Sequence, residues 1–282
     1  SPQTEWLPPE SFPDLSRYDE IAIDLETKDP QLKTMGSGSV TGRGEIVGVA
    51  VAVEDWSGYY PIAHEGGGNM DKKRVMEWFR IILNYPSTKI FHNAMYDVCF
   101  IRAAGLDIKG KIVDTMIAGS LVDENRFRYD LGSMGRDYVG KGKNESVLKE
   151  TADIWGVDAK SEMYKLPAMY VGEYAEEDAK LTLALWQEMK KEILHQDIQS
   201  IFDLETELFP CLVDMRFLGV RVDIQAANEL KDKLSSEEKE CLLKVKKETG
   251  VDTQIWAARS IAQVFEKLRL PFDRTEKTNS PS

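Results

Sequence analysis

Ile21-Ala22-Ile23-Asp24-Leu25-Glu26 is the stretch on which the fold turns. Its apolar run predicts a short β-strand. Asp24 and Glu26 stand two apart at the strand's end, so the period-two geometry of a strand places both on one face of the sheet. Two neighbouring carboxylates repel each other and resist burial without a counter-charge, for which a divalent cation is the simplest source. Just beyond, Gly36, Gly38, Gly42 and Gly44 among Ser and Thr predict a mobile loop over 31–44. Ile46 to Val53 is a β-rich run. Tyr59-Tyr60-Pro61-Ile62 reads as its hairpin partner across the turn-like residues 54–58.

Outward from that hairpin the spacing becomes helical. Val75, Met76, Trp78, Phe79 and Ile82 recur on one helix face, and Lys89-Ile90-Phe91 is a short strand. Residues 94–104 predict a helix closed by Gly105. Ile112-Val113 is a further brief strand, and residues 115–122, 130–139, 145–154 and 167–190 predict helices, with Pro167 suited to a first turn. A hairpin followed by alternating α and β segments implies an α/β core with a mixed sheet. Beyond residue 195 the chain reads as helix. Leu204, Leu208, Leu212 and Met215 form one apolar stripe ending at Gly219. Val220–Asp223 is extended, and residues 224–248 form a charged helix with Leu230, Leu234, Cys241, Leu242 and Val245 on one side. Residues 1–19, with four prolines, read as an extended lead-in, and the absence of an initial Met suggests a processed or cloned fragment.

The composition excludes several classes. The 282 residues carry 36 Lys and Arg against 48 Asp and Glu, a net charge of −12, and 42% are hydrophobic, an ordinary globular mix. No run of about 18 apolar residues would span a bilayer, and no signal peptide is visible. Cys99, Cys211 and Cys241 form neither a CxxC pair nor a zinc spacing, which argues against a disulfide scaffold and fits a reducing compartment. The acidic balance argues against a protein that coats duplex DNA.

Two further carboxylate elements follow the first. In Phe91-His92-Asn93-Ala94-Met95-Tyr96-Asp97, Asn93 and Asp97 are four apart and share a helix face. Asn93 also suits a helix cap, and His92 reads as structural. Asp97 leads into apolar Val98-Cys99-Phe100-Ile101, where a surface acid is not the usual choice. In Tyr174-Ala175-Glu176-Glu177-Asp178, Tyr174 and Asp178 are again an i,i+4 pair. The apolar spacing after Asp178 turns it inward, while Glu176 and Glu177 are expected to face solvent.

In this order, the three elements resemble the three motifs of the DEDDy 3′–5′ exonucleases, over residues 20–190. Asp24, Glu26, Asp97 and Asp178 match the four carboxylates. Tyr174 matches the tyrosine subclass; the histidine subclass carries His five residues before the last Asp, where this chain has Glu173. Ile112-Val113-Asp114-Thr115-Met116 and Tyr129-Asp130-Leu131 resemble further family segments. The Gly-rich loop departs from the family, which usually runs on more directly. Leu204–Leu208 and Met215–Asp223 resemble the opening of the polymerase domain of family A DNA polymerases, and Leu270–Ser282 resembles the stretch before the palm.

The resemblance implies an α/β, RNase H-like mixed five-stranded sheet flanked by helices, followed by an α-helical C-terminal extension. It divides the chain into an exonuclease domain at 1–195 and, at 196–282, the N-terminal helical part of a truncated polymerase domain without palm or fingers motifs. It implies stepwise hydrolysis of single-stranded DNA 3′ ends to nucleoside monophosphates with two Mg²⁺ or Mn²⁺ ions. By that resemblance Asp24 bridges both ions, Glu26 and Asp178 complete the first site, Asp97 holds the second through water, and Tyr174 orients the attacking water. Thr27 and Asn93 would touch the terminal nucleotide, with Tyr96 nearby. The implied partners are a DNA 3′ end and the remainder of a polymerase chain. The expected protein is monomeric, off the membrane, and cytoplasmic in a bacterium or phage-infected host, or in an organelle. The six basic residues of 125–149 (Arg126, Arg128, Arg136, Lys141, Lys143, Lys149), against Asp130, Asp137 and Glu145, are a candidate DNA-facing patch. Two rival readings are an RNase D-like RNA-trimming enzyme, which carries a different helical domain after the same site, and a non-catalytic DNA-binding or support domain, which has no need of all four carboxylates.

Overall fold

The computed structural model describes residues 2–276 and divides into two compact units between Leu218 and Gly219. In the first unit, five strands run β1 (Glu20–Lys28), β2 (Glu45–Val53), β3 (Trp56–Pro61), β4 (Thr88–Phe91) and β5 (Ile112–Asp114). They form one sheet in the order β3-β2-β1-β4-β5. β1 pairs antiparallel with β2, and β2 with β3. β1–β4 and β4–β5 are parallel, so the expected mixed five-stranded sheet is present.

The helices are α1 (Leu32–Met35), α2 (Gly38–Thr41), α3 (Lys72–Leu83), α4 (Ala94–Ala103), α5 (Thr115–Val122), α6 (Leu131–Met134), α7 (Ser146–Trp155), α8 (Gly172–His195) and α9 (Gln199–Leu218). The expected helix over 130–139 is split, with a π turn at Gly135–Val139 after α6. The one expected over 167–190 begins later, at Gly172. Pro167 sits in an extended conformation ahead of a 3₁₀ turn at Ala168–Tyr170.

The period-two reading of β1 decides the layering. Ile21, Ile23 and Leu25 enter one core with Trp78 and Phe79 of α3 and Phe100 of α4. Ala22 enters the opposite core with Ala50, Ala52, Ala179 and Leu185 of α8. Small side chains on that face let α8 lie close to the sheet, and Asp24 and Glu26 share the parity of Ala22. Glu20 fastens the other end of β1 to α8, accepting from Trp186 Nε1 (3.0 Å), Gln187 Nε2 (2.7 Å) and Lys190 Nζ (2.7 Å).

The expectation of a bare loop gives way, and the segments at both ends of the first unit pack against it. Residues 31–44 fold into α1 and α2 rather than a bare loop, because buried Asp29 accepts the Gly38 N–H with both oxygens, at 3.1 and 3.0 Å. The compact unit runs past 195 through Leu218, because α9 buries Phe202, Phe209 and Val213; the Phe202 ring stacks on Trp186 at 5.4 Å. The stripe of Leu204, Leu208, Leu212 and Met215 on the same helix is exposed. The lead-in also docks: a Cβ on Gly172 would lie 2.1 Å from the Trp6 indole, so Trp6 packs where α8 begins.

The second unit holds α10 (Ile224–Thr249) and α11 (Ala258–Leu268). Asp223 caps α10 by accepting from Ala226 N at 3.0 Å, and Gly250 ends it at φ 74°. No residue of α10 is buried. Of the sequence expected to precede a palm, 277–282 lie outside the described residues.

Candidate active site

The site starts at β1. Asp24 stands opposite Ala50 and Glu26 opposite Gly48, with a bulge between Glu26 and Thr27. Gly48 is needed as glycine: a Cβ there would fall 2.1 Å from the Tyr59 hydroxyl. Tyr59 can therefore lie near the two acids, and burial, then their charges, pushes its own ionisation well up. Its hydroxyl reaches His64 Nε2 at 2.7 Å, while His64 Nδ1 is 2.9 Å from Leu166 O. A neutral imidazole serves both contacts, and burial pushes its pKa down to about 4.

Asp97 arrives on α4. Asn93 precedes that helix in the left-handed region, at φ 65° and ψ 52°, and makes no side-chain cap bond. The turn is held by Asp114, at the end of β5. Its carboxylate accepts from Asn93 N (3.0 Å), Ala94 N (2.8 Å) and Met116 N (2.8 Å). Asp97 is buried and accepts from Leu25 N at 3.1 Å, hooking α4 onto β1 beside Asp24.

Asp178 arrives on α8, buried, one helical turn after Tyr174. Lys143, from the segment between the π turn and α7, turns inward to it. Its Nζ lies 2.5 Å from Asp178 Oδ2 and 3.1 Å from the Tyr174 hydroxyl, and 5.1 Å from the Tyr174 ring centre.

The carboxylates act on one another's protons. Burial, then the Asp178 charge, raises Asp24 to about 7, against the pull of Lys143. Glu26 is pushed well up by burial and by Asp24 and Asp178. Asp97 is pushed well up by burial and Asp24, opposed by the Leu25 N–H. Asp178 is raised by burial, with Lys143 opposing. Tyr174 is held well above its ordinary value by burial and by the nearby carboxylates, and stays a neutral hydroxyl. Among the described residues no group of three or more His, Cys, Asp or Glu side chains stands as a ready-made metal cage. The donor chemistry nevertheless fits a hard divalent ion: the ligands are oxygen only, and the repulsion among them is what such a cation relieves.

Beside the cluster, Thr27 Oγ1 lies 2.8 Å from the Tyr96 hydroxyl, which donates to Asp29 Oδ2 at 3.1 Å. The structure thus joins Thr27 and Tyr96 directly, and Asn93 contributes its backbone turn.

One expectation is corrected by distant partners. Glu176 does not face solvent: it accepts from Trp6 Nε1 at 2.9 Å and Tyr59 N at 3.2 Å. Glu177 does sit at the surface, paired with Lys180. Within the basic stretch 125–149, Arg126 pairs with Asp137, Arg128 with Asp130, Lys149 with Glu145, and Lys143 with Asp178. His92 is structural, its Nδ1 2.8 Å from Thr115 Oγ1. The roles of Lys143, Asp114 and Tyr59 escaped sequence reasoning. For Asp114 the signals were its place at the end of a strand and its membership of the Ile112–Met116 segment that resembles the family.

Residues 3–194 match the family model described as 3′–5′ exonuclease. A DNA-directed DNA polymerase of Pseudomonas phage M6 is 31% identical over 97% of this chain and 43% of its own length. DNA polymerase I of Pseudomonas aeruginosa is 27% identical over 95% of this chain and 29% of its own length. The chain thus spans less than half the length of these relatives. Among solved structures, the POL domain of Pol1 from M. smegmatis, in complex with DNA primer-template and dNTP, matches with a TM-score of 0.62 at 14% identity. That match covers 95% of this chain and 40% of the other, a likeness of fold.

Proposed function

Because the chain belongs to the 3′–5′ exonuclease family of family A DNA polymerases, we propose that it hydrolyses single-stranded DNA from the 3′ end, releasing nucleoside monophosphates. The observation that carries this reading is the convergence of Asp24, Glu26, Asp97, Asp178 and Tyr174 from three elements far apart in sequence: Asp97 is held to β1 by Leu25 N–H, and Asp178 and Tyr174 share the Lys143 ammonium. The four carboxylates would hold two divalent ions, Mg²⁺ or Mn²⁺. Such ions supply a water of lowered pKa and neutralise charge on the leaving oxygen.

The chain's own groups do the rest. Tyr174 keeps its proton and offers a neutral hydroxyl that can orient a water by donating and accepting. Leu25 N–H holds one Asp97 oxygen, and the other would serve the metal. Thr27 and Tyr96, locked together, offer hydroxyls to the sugar and phosphate of a terminal nucleotide. Residues beyond the first unit would lead into the remainder of a polymerase chain, and the site would serve as its proofreading centre in a bacterial or phage-infected cytoplasm. No helix among the described residues is long and apolar enough to cross a membrane.

The test is an assay on a labelled single strand with Mg²⁺, Mn²⁺ or chelator. Metal-dependent stepwise release of mononucleotides is expected, and its loss in Asp24→Ala and Asp178→Ala. Full activity in Asp24→Ala would overturn the assignment. A matched RNA oligonucleotide separates this reading from an RNA-trimming enzyme: faster turnover of RNA would favour the latter.

A further inference from the structure

Lys143 is the one cation in direct contact with the candidate ligands among the described residues. Its ammonium bridges the Asp178 carboxylate and the Tyr174 hydroxyl. The pair is largely shielded from water: the Asp178 side chain is 4% exposed and that of Lys143 23%. The lysine's charge also acts on Asp24 and Glu26. It therefore supplies part of the counter-charge that a buried carboxylate cluster requires. Its backbone comes from a short irregular segment, 140–145, that begins with Gly140 at φ 75°, not from the sheet or α8. Lys143 and Asp178 both line a cavity of about 930 Å³ that extends past Lys141, Lys180 and Gln187 to Arg17. The side chain can withdraw into that space without displacing the core.

We propose that Lys143 is a tethered counter-ion that competes with a divalent metal for Asp178. It clamps Asp178 and Tyr174 while the metal is absent and leaves Asp178 when the metal enters. A monovalent ammonium on a flexible stem is well suited to this exchange, because it neutralises without coordinating and its three donors can be re-satisfied by water in the cavity. The proposal rests on the reading of Asp178 as a metal ligand. Its consequence is that the lysine sets the metal concentration at which the site loads, independently of any chemical step.

Direct Mn²⁺ binding by calorimetry, with melting in chelator, tests it on the full chain. Lys143→Met and Lys143→Gln are expected to bind Mn²⁺ about tenfold more tightly than the unaltered protein. In chelator both should melt lower, and saturating Mn²⁺ should close that gap. Lys143→Arg should restore melting in chelator. An affinity for Mn²⁺ equal to or weaker than that of the unaltered protein in both neutral variants overturns the competition while leaving the metal site intact. If neither the unaltered protein nor the variants bind Mn²⁺, the metal-ligand reading falls, and the competition with it.

Discussion

Asp29 Oδ2 accepts the Tyr96 hydroxyl at 3.1 Å, and the same carboxylate receives the Gly38 N–H. One acid thus ties the glycine-rich segment to the residue pair beside the carboxylate cluster. Asp29→Ala should release both: stability falls by about 1–3 kcal/mol, and KM for single-stranded DNA rises severalfold with kcat changed less. Steady-state kinetics and urea melts check it. An unaltered KM would separate this network from substrate binding.

Asp24 and Asp178 should respond in opposite senses when neutralised. Asp24→Asn removes a charge from a self-repelling buried cluster and should raise the melting temperature in chelator by a few degrees. Asp178→Asn strips Lys143 of its partner and should lower stability by about 1–3 kcal/mol. Both should lose activity by more than about a hundredfold. Calorimetry in chelator checks the signs, and equal shifts would contradict the placement of Lys143.

His64 sets an acid limit. Its folded pKa, about 4, lies below the ordinary 6.5, so between those values the unfolded chain binds the extra proton. Its stabilising contribution is fully present above pH 6.5 and is lost as pH falls from 6.5 towards 4, on the order of 1–3 kcal/mol. The carboxylates of the cluster, with raised pKa values, act in the opposite direction. The comparison is therefore with His64→Gln, whose stability should fall less between pH 7.5 and 4.5. Identical pH profiles in urea unfolding would exclude the role.

Lys89 is fully buried within β4, where its ammonium donates to Ser87 O (3.0 Å), Lys109 O (2.8 Å) and Tyr85 O. Lys89→Met orphans three carbonyls and should cost about 2–4 kcal/mol, a fall of roughly 5–15 °C in melting temperature. Activity per folded molecule should be unchanged. Thermal melts alongside active-site titration check both halves.

The four carboxylates were legible because each lies within a local repeat: two apart on a strand, four apart on a helix. The sheet followed from the same alternation in β1 and β2. Partners remote in the chain left no such trace. Lys143 looks like one more base in a basic stretch until α8 brings Asp178 beneath it, and Glu176 looks solvated until Trp6 returns to it. Lys89 reads as an ordinary strand residue because the alternation of β4 does not show that the Tyr85, Ser87 and Lys109 carbonyls turn towards its ammonium. In α9, two apolar stripes share one helical period. Period alone does not choose between Leu204–Leu208–Leu212 and Phe202–Phe209–Val213; the fit of Phe202 against Trp186 does.

Gly48 has no side chain to offer chemistry, yet its bare backbone gives the Tyr59 ring its place beside the acids. A methyl group there would force the Tyr59 ring out of its place, on the strand position paired with Glu26. In a saturation library selected for activity, position 48 should tolerate as few replacements as the acids themselves, and for a wholly geometric reason. Intolerance to substitution would therefore mark this residue as catalytic by every statistical measure while its only contribution is to leave space empty.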